Sequence, residues 1–266
     1  MNQIGFIGAG HIATAIMNGM YRGGIDMSHV LVHAAVPEES QRLKDSIGIS
    51  IAEDNREVVA NSKFIFLAVP AIFYPNVVRE VADLASPDHI FVSLTPGYTL
   101  QRFHDEFGDA IRVVRIMPNT PAMVGAGMIQ YCSSNVTAEE EAEFLKLMAP
   151  AGRLDAVPES LIDAASCVSG CGPAWVYQFI EALADGGVAC GLPRAKAQEY
   201  AAQMVLGSAK LVLESGKHPG ELKDAVCSPG GSTIQGVRVL EEHGFRGAVT
   251  DAVIAAYDKT KEMGKG

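Results

Sequence analysis

Positive charge is scarce in this sequence: 21 Lys and Arg stand against 31 Asp and Glu, a formal net charge of −10 over 266 residues. That balance argues against a nucleic-acid backbone or an anionic membrane as partner, since both need a net positive surface. Long apolar runs are missing as well. The longest, Phe64 to Tyr74, contains Pro70 and falls far short of the ~20 residues a spanning helix needs. Met1–Gly10 lacks the basic start and unbroken apolar stretch of a signal peptide and reads as a strand entering a glycine turn, so a cytoplasmic location is expected. Cysteine is sparse and odd in number. Cys132, Cys167, Cys171, Cys190 and Cys227 form no CxxC pair and have no His at zinc-ligand spacing, so reduced thiols and no metal site are expected. Seven scattered His show no Ser, Cys or metal-like partner in the sequence, which leaves no nucleophilic dyad to propose.

What is present is a globular composition, 48% hydrophobic and 20% charged, long enough for two ordinary domains. The first half alternates short β-rich runs with helical patterns. Gln3–Gly8, Val30–His33, Phe64–Ala68, Ile90–Ser93 and Arg112–Ile116 are nearly continuous in hydrophobicity, as strands buried on both faces are. Helical patterns fall at His11–Tyr21, Glu38–Ser46, Asn55–Ala60, Phe73–Ala85 and Leu100–Phe107. This alternation predicts an α/β fold with a parallel, doubly wound sheet. Strands near Gly127–Tyr131 and Gly152–Ala156, with a helix over Ala138–Met148 between them, would complete it. After Pro158 the strand signal stops. Pro173–Cys190, Arg194–Glu214, Gly231–His243 and Ala248–Met263 are long and helical in period. The chain is therefore read as residues 1–157, nucleotide-binding, and residues 158–266, all-helical. A helical half this apolar predicts self-association.

Gly8–Ala9–Gly10–His11–Ile12–Ala13 is a G-x-G-x-x-A turn. Placed between a strand and a helix, it reads as the turn of a Rossmann domain: a tight bend at Gly8, close backbone approach at Gly10, and a pyrophosphate on the helix N-terminus, with a merely structural turn as the open alternative. The second strand ends Leu31–Val32–His33–Ala34–Ala35–Val36–Pro37, with no carboxylate until Glu38. A carboxylate at that strand end would bond a ribose 2′-hydroxyl and repel a 2′-phosphate. Its absence points to NADPH, with Arg42 the nearest cation and NADH the alternative. Two further stretches look chemical. Met117–Pro118–Asn119–Thr120–Pro121 is a stiff polar loop after a strand, where open sheets bind ligands. Ser228–Pro229–Gly230–Gly231–Ser232–Thr233 frees backbone N–H groups and hydroxyls at a helix start, a neutral site suited to a carboxylate. A rigid turn in the first case and a plain helix cap in the second remain open alternatives.

Together these stretches resemble the pyrroline-5-carboxylate reductase family. The resemblance also runs through Asn55, Leu67–Ala68–Val69, Val168–Ser169–Gly170–Cys171–Gly172–Pro173–Ala174, His218–Pro219–Gly220–Glu221–Leu222, Leu240–Glu241 and Gly244–Phe245–Arg246. It implies a Rossmann domain followed by a helical dimerisation domain that intertwines with a second copy, and assembly of such dimers into a decamer. The implied activity is reduction of a small-molecule cyclic imine to proline, with the hydride from NADPH or NADH. The resemblance assigns the cofactor to Ile7, Gly8, Ala9, Gly10, His11, Ile12, Asn55, Leu67, Ala68, Val69, Pro70, Thr95, Pro96 and Gly97. It sets Met117, Pro118 and Asn119 at the nicotinamide end. The substrate falls to Ser228, Gly230, Gly231, Ser232 and Thr233, with Thr233 as the catalytic residue. There are departures: Pro70 stands where the family has Lys, His11 where it has Asn, Cys171 where it has Ser, and Trp175 where it has Tyr. Another cyclic imine or a hydroxy acid as substrate, or a non-catalytic regulatory paralogue, stays open at this point.

Overall fold

In the computed structural model, residues 2–263 are described, so Met1 and the last three residues of the expected helical domain lie outside the description. Eight strands form one sheet in the order β3-β2-β1-β4-β5-β6-β7-β8. They are β1 (Asn2–Ile7), β2 (Val30–His33), β3 (Ser50–Ile51), β4 (Ser62–Leu67), β5 (Ile90–Ser93), β6 (Arg112–Met117), β7 (Gly127–Ser134) and β8 (Gly152–Ala156). The helices between them are α1 (His11–Arg22), α2 (Pro37–Ile47), α3 (Asn55–Ala60), α4 (Tyr74–Val81), α5 (Leu100–Phe107) and α6 (Ala138–Met148).

The near-continuous hydrophobicity of the strands is explained by their two buried faces. In β4, Phe64 and Phe66 join α1, α2 and α6 in one core, while Ile65 and Leu67 join α3, α4 and α5 in another. Alternate side chains point to opposite faces, so each strand feeds both layers. Phe6 of β1 stacks on Phe66 with ring centroids 4.4 Å apart, which ties the two central strands together.

The parallel pattern holds from β3 to β6. β7 then runs antiparallel to β6, with Ile116 opposite Tyr131, and β8 runs parallel to β7. The reason lies in the connection. Residues 118–126 are too few for a crossover helix, so the chain doubles back. Other differences are local. β3 has only two residues and no pattern to read, and the helix expected over Phe73–Ala85 is α4 flanked by short 3-10 turns. The Thr137 side chain and Glu140 form a reciprocal capping box at the start of α6, where the sequence places a helix start.

After β8 come α7 (Glu159–Ser169), α8 (Gly172–Ala189), α9 (Arg194–Ser215), α10 (Pro219–Ala225), α11 (Ser232–Glu242) and α12 (Phe245–Met263). The described residues form two compact units, one of residues 2–171 with 256–263 and the other of 172–255. Architecture thus changes at Pro158, while α7 belongs with the sheet. In the second unit only Ala184, Ala197 and Ala201 are buried among the described hydrophobic residues. Tyr177, Leu206, Leu213 and Val226 are exposed. A helical unit that buries alanines and leaves its large apolar side chains uncovered has no closed core of its own. Among the described residues, no helix is long and apolar enough to cross a membrane, and no group of His, Cys, Asp and Glu could hold a metal ion.

Candidate active site

β1 ends at Ile7, and the chain turns sharply at Gly8, whose φ is +102°. A Cβ there would lie 2.4 Å from the Ala68 carbonyl oxygen. The Gly8 N–H donates to the His33 carbonyl at 2.8 Å, and the Ala68 N–H donates to the Ile7 carbonyl at 2.8 Å. The turn is therefore wedged between the carboxyl ends of β2 and β4. Gly10, by contrast, opens into free space, with nothing within 4 Å of an added Cβ. It precedes α1 with no side-chain cap and no acidic residue in the first turn. The first N–H groups of α1 have no intrahelical acceptor, so they form a cradle for an anion. A dinucleotide pyrophosphate fits this cradle. Gly8→Ala is expected to weaken dinucleotide binding by roughly tenfold or more, from the strain of a side chain at this φ. Isothermal titration checks it, and an unchanged Kd would take the turn out of the binding site.

The turn opens on a cleft of about 390 Å³. Ile7, Gly8, Ala9, Gly10, Asn55, Ala68, Val69 and Pro70 line it together. Leu67 is fully buried beneath, whereas His11 is exposed and Ile12 half-buried, and these three do not line the cleft. Thr95, Pro96 and Gly97 line an adjoining hollow with Ile72 and Tyr98. A buried tyrosine holds this edge: the Tyr74 hydroxyl donates to the Leu67 carbonyl at 2.8 Å and accepts from the Leu94 N–H at 3.3 Å. Burial pushes the Tyr74 phenol up to about 12, so it stays a neutral donor. The Thr95 hydroxyl donates to the Val69 carbonyl at 3.3 Å, which joins the loops after β4 and β5.

Sequence reasoning missed several lining residues, among them His33, Val36, Glu39, Phe73 and Glu80. It also needs correction just after β2. Glu39 brings a carboxylate into the cleft lining. Arg42 sits with Glu38, Gln41 and Asp45 around a separate surface hollow and does not line the cleft. The helix begins at Pro37, which puts Glu39 in its first turn beside the strand end and Arg42 a turn further away.

Met117, Pro118 and Asn119 follow β6, and none of them lines either hollow. Met117 is buried, and both ends of the Asn119 amide are engaged. Its nitrogen donates to the Ser169 carbonyl at 2.9 Å, and its oxygen accepts the Met128 N–H at 3.0 Å. The Ser169 hydroxyl in turn donates to Gln130 Oε1 at 2.9 Å. Asn119 thus pins the loop between β6 and β7 to the end of α7. Nearby, Arg115 is 1% exposed and pairs with Glu159 at 3.3 Å and Asp163 at 2.6 Å. This second anchor of α7 was not legible, because its acidic partners lie more than 40 residues away in sequence.

In the helical unit, residues 228–233 make a tight turn. The Gly231 N–H donates to the Ser228 carbonyl at 3.0 Å, and Gly230 has φ +70°. α11 then starts at Ser232, with no side-chain cap on Gly231 and no acidic residue in its first turn. Ser228, Ser232 and Thr233 are exposed on this chain. The turn gathers backbone donors and three hydroxyls at a positive helix end, which suits a carboxylate. The role of His218 is structural, since its Nδ1 accepts the Gly220 N–H at 3.0 Å and caps α10.

Residues 159–263 match the family described as pyrroline-5-carboxylate reductase dimerisation. Residues 3–97 match the family described as NADP oxidoreductase, coenzyme F420-dependent. The chain is 42% identical to the pyrroline-5-carboxylate reductase of Escherichia coli K12 over 265 residues, covering 99% of this chain and 98% of that one. It is 40% identical to the Pisum sativum pyrroline-5-carboxylate reductase over 261 residues, covering 98% and 95%. Among solved structures, the Plasmodium falciparum pyrroline carboxylate reductase with NADP bound superposes with a TM-score of 0.90 at 30% identity, covering 98% of both chains. With similarity of this degree over the whole length, the chain belongs to the pyrroline-5-carboxylate reductase family.

Proposed function

We propose that this protein reduces 1-pyrroline-5-carboxylate to L-proline, the last step of proline biosynthesis, with NADPH as hydride donor and NADH as the alternative. The observation that carries this reading is the 42% identity over 99% of the chain to a reductase of that name. The NADP bound to the Plasmodium falciparum neighbour supports the cofactor. Residues 1–157 hold the dinucleotide and residues 158–266 the substrate and the dimer contact. Self-association into dimers is supported by the dimerisation match and by the uncovered apolar side chains of the helical unit. We extend it to a decamer built from such dimers, acting in the cytoplasm on a small molecule.

When bound, the dinucleotide supplies the hydride that adds to the carbon of the C=N bond. The N–H groups at the start of α1 hold its pyrophosphate. Ile7, Asn55 and Ala68 to Pro70 wall the cleft, with Thr95 to Gly97 beside them. Met117, Pro118 and Asn119 are assigned to the nicotinamide end because they follow the carboxyl end of β6. The substrate carboxylate is held by the N–H groups of Gly230, Ser232 and Thr233 and by the Ser228 hydroxyl, with the Gly231 N–H closing the turn on the Ser228 carbonyl. The Thr233 hydroxyl hydrogen-bonds the imine nitrogen. A cyclic imine can arrive already protonated, so the chain needs no strong acid here and works through proximity and orientation.

The test is absorbance-followed oxidation of NADPH, and then of NADH, by the purified protein with 1-pyrroline-5-carboxylate. Oxidation that yields proline is the expected result. Tight dinucleotide binding without oxidation would overturn the substrate and point to another cyclic imine, a hydroxy acid or a regulatory role.

A further inference from the structure

We infer that the ribose end of the cleft discriminates against a 2′-phosphate, so that NADH binds more tightly than NADPH, with Glu39 as the specificity-determining residue. The inference rests on the dinucleotide reading of the cleft given above and reverses the order in which that reading takes its two forms, on the chemistry of this chain's own lining. Both forms share the pyrophosphate and satisfy the N–H groups at α1 equally. They differ only at the adenosine ribose, which in a Rossmann domain meets the end of the second strand.

That end offers a phosphate dianion little. The loop after β2 is Ala34–Ala35–Val36, with no hydroxyl or amide side chain. Among the described residues lining the cleft there is no Lys or Arg, while Glu39 and Glu80 both contribute carboxylates. The hollow next to it, bounded by His33, Ser40 and Ala52, adds Glu38 and Glu53 and again no Lys or Arg among the described residues. His33 is the one basic side chain described in either lining, and its Nδ1 lies 3.4 Å from the Ala52 carbonyl oxygen. Arg56 follows Asn55 in the chain, but its guanidinium is engaged by both oxygens of Asp83 at 2.7 and 2.8 Å and by the Glu80 carbonyl.

The backbone favours the same choice. The N-terminus of α2 could present donors to a phosphate. However, Pro37 has no N–H, the Glu39 N–H already donates to the Val36 carbonyl at 3.1 Å, and the first turn carries Glu38 and Glu39. Asn55 adds an acceptor to the lining. Its amide nitrogen donates to Glu80 Oε2 at 2.8 Å, which leaves the buried Oδ1 with no hydrogen-bond partner. That acceptor can take a ribose hydroxyl, which both dinucleotides carry, and gives a 2′-phosphate nothing. Like charges meeting in a partly enclosed cleft repel far more than they do in open water.

The test is isothermal titration of the full-length protein with NAD⁺ and NADP⁺. Adenosine 5′-monophosphate and adenosine 2′,5′-bisphosphate serve as probes that carry only the discriminating end. The expected result is NAD⁺ binding about tenfold or more tighter than NADP⁺, with the same order for the two probes. Glu39→Gln should raise NADP⁺ affinity more than NAD⁺ affinity, and Glu39→Arg should reverse the order. NADP⁺ binding as tightly as NAD⁺ to the unaltered protein overturns the inference, as does a ratio that Glu39→Gln leaves unmoved. Binding is read without substrate, so the two readings fail separately. A preserved preference with no pyrroline-5-carboxylate turnover supports the inference and sinks the substrate assignment. Binding of neither dinucleotide overturns both.

Discussion

Thr233→Ala is expected to lower turnover about a hundredfold while leaving the dinucleotide Kd essentially unchanged. Thr233 is the second residue of α11, on a turn whose backbone donors and hydroxyls gather at a helix start. The carboxylate end of the substrate can be held by backbone N–H groups that the substitution leaves in place. On the proposed reading the substitution removes the hydroxyl that orients the imine nitrogen, and an orienting bond of this kind is worth roughly 10² to 10³ in turnover. The change should therefore appear in kcat with only a small rise in KM. Thr233→Ser keeps the hydroxyl and should recover most of the rate. Steady-state kinetics for both variants, with titrated cofactor binding alongside, decide the matter. Turnover that survives the loss of the hydroxyl would remove Thr233 from the mechanism.

Arg115→Ala should cost about 3–5 kcal/mol of stability, the largest structural effect expected from a single change in the sheet unit. Arg115 lies on β6 and is almost entirely enclosed. Its two partners come from α7: Glu159, whose Oε1 also accepts the Leu100 N–H at 2.7 Å, and Asp163, 15% exposed. Truncation leaves both carboxylates beside a cavity without a counter-charge, and uncompensated buried charge is far more damaging than the pair is stabilising. Chemical denaturation of the variant should show a markedly lower midpoint. Arg115→Met combined with Asp163→Leu should recover part of the loss, because it removes charge and partner together. A variant with an unshifted midpoint would mean that α7 is held by its apolar contacts alone. The same substitution should also depress activity, since α7 carries the Ser169 carbonyl that fixes Asn119.

Much of the fold was legible because the strands are short, β-branched and buried on both faces. Val30–His33 and Ile90–Ser93 are found with the expected bounds. The glycine turn was legible too, since Gly8 and Gly10 do local work that a single strand-turn-helix segment already demands. The turn at residues 228–233 could be read as a loop at a helix start, but the bond of the Gly231 N–H to the Ser228 carbonyl could not. Asn119 shows the limit most clearly. Its place after β6 could be read, but not the hydrogen bonds that each end of its amide makes, to the Ser169 carbonyl and from the Met128 N–H. One of those partners lies 50 residues away, and no spacing rule in the sequence announces it.

By itself, the sequence determined the alternation of strands and helices, the change to an all-helical half after Pro158, the glycine turn and membership of the family. These depend on periodicity and on short motifs, both of which are local. Only the tertiary structure decided that β7 runs back along β6, that Arg115 is neutralised by α7, and that Glu39 borders the cleft while Arg42 does not. Those outcomes depend on where a helix begins to within one residue and on which distant side chains meet. Chain reversal, charge pairing and the lining of a cleft are properties of neighbours in space, and a linear pattern carries no distances between them.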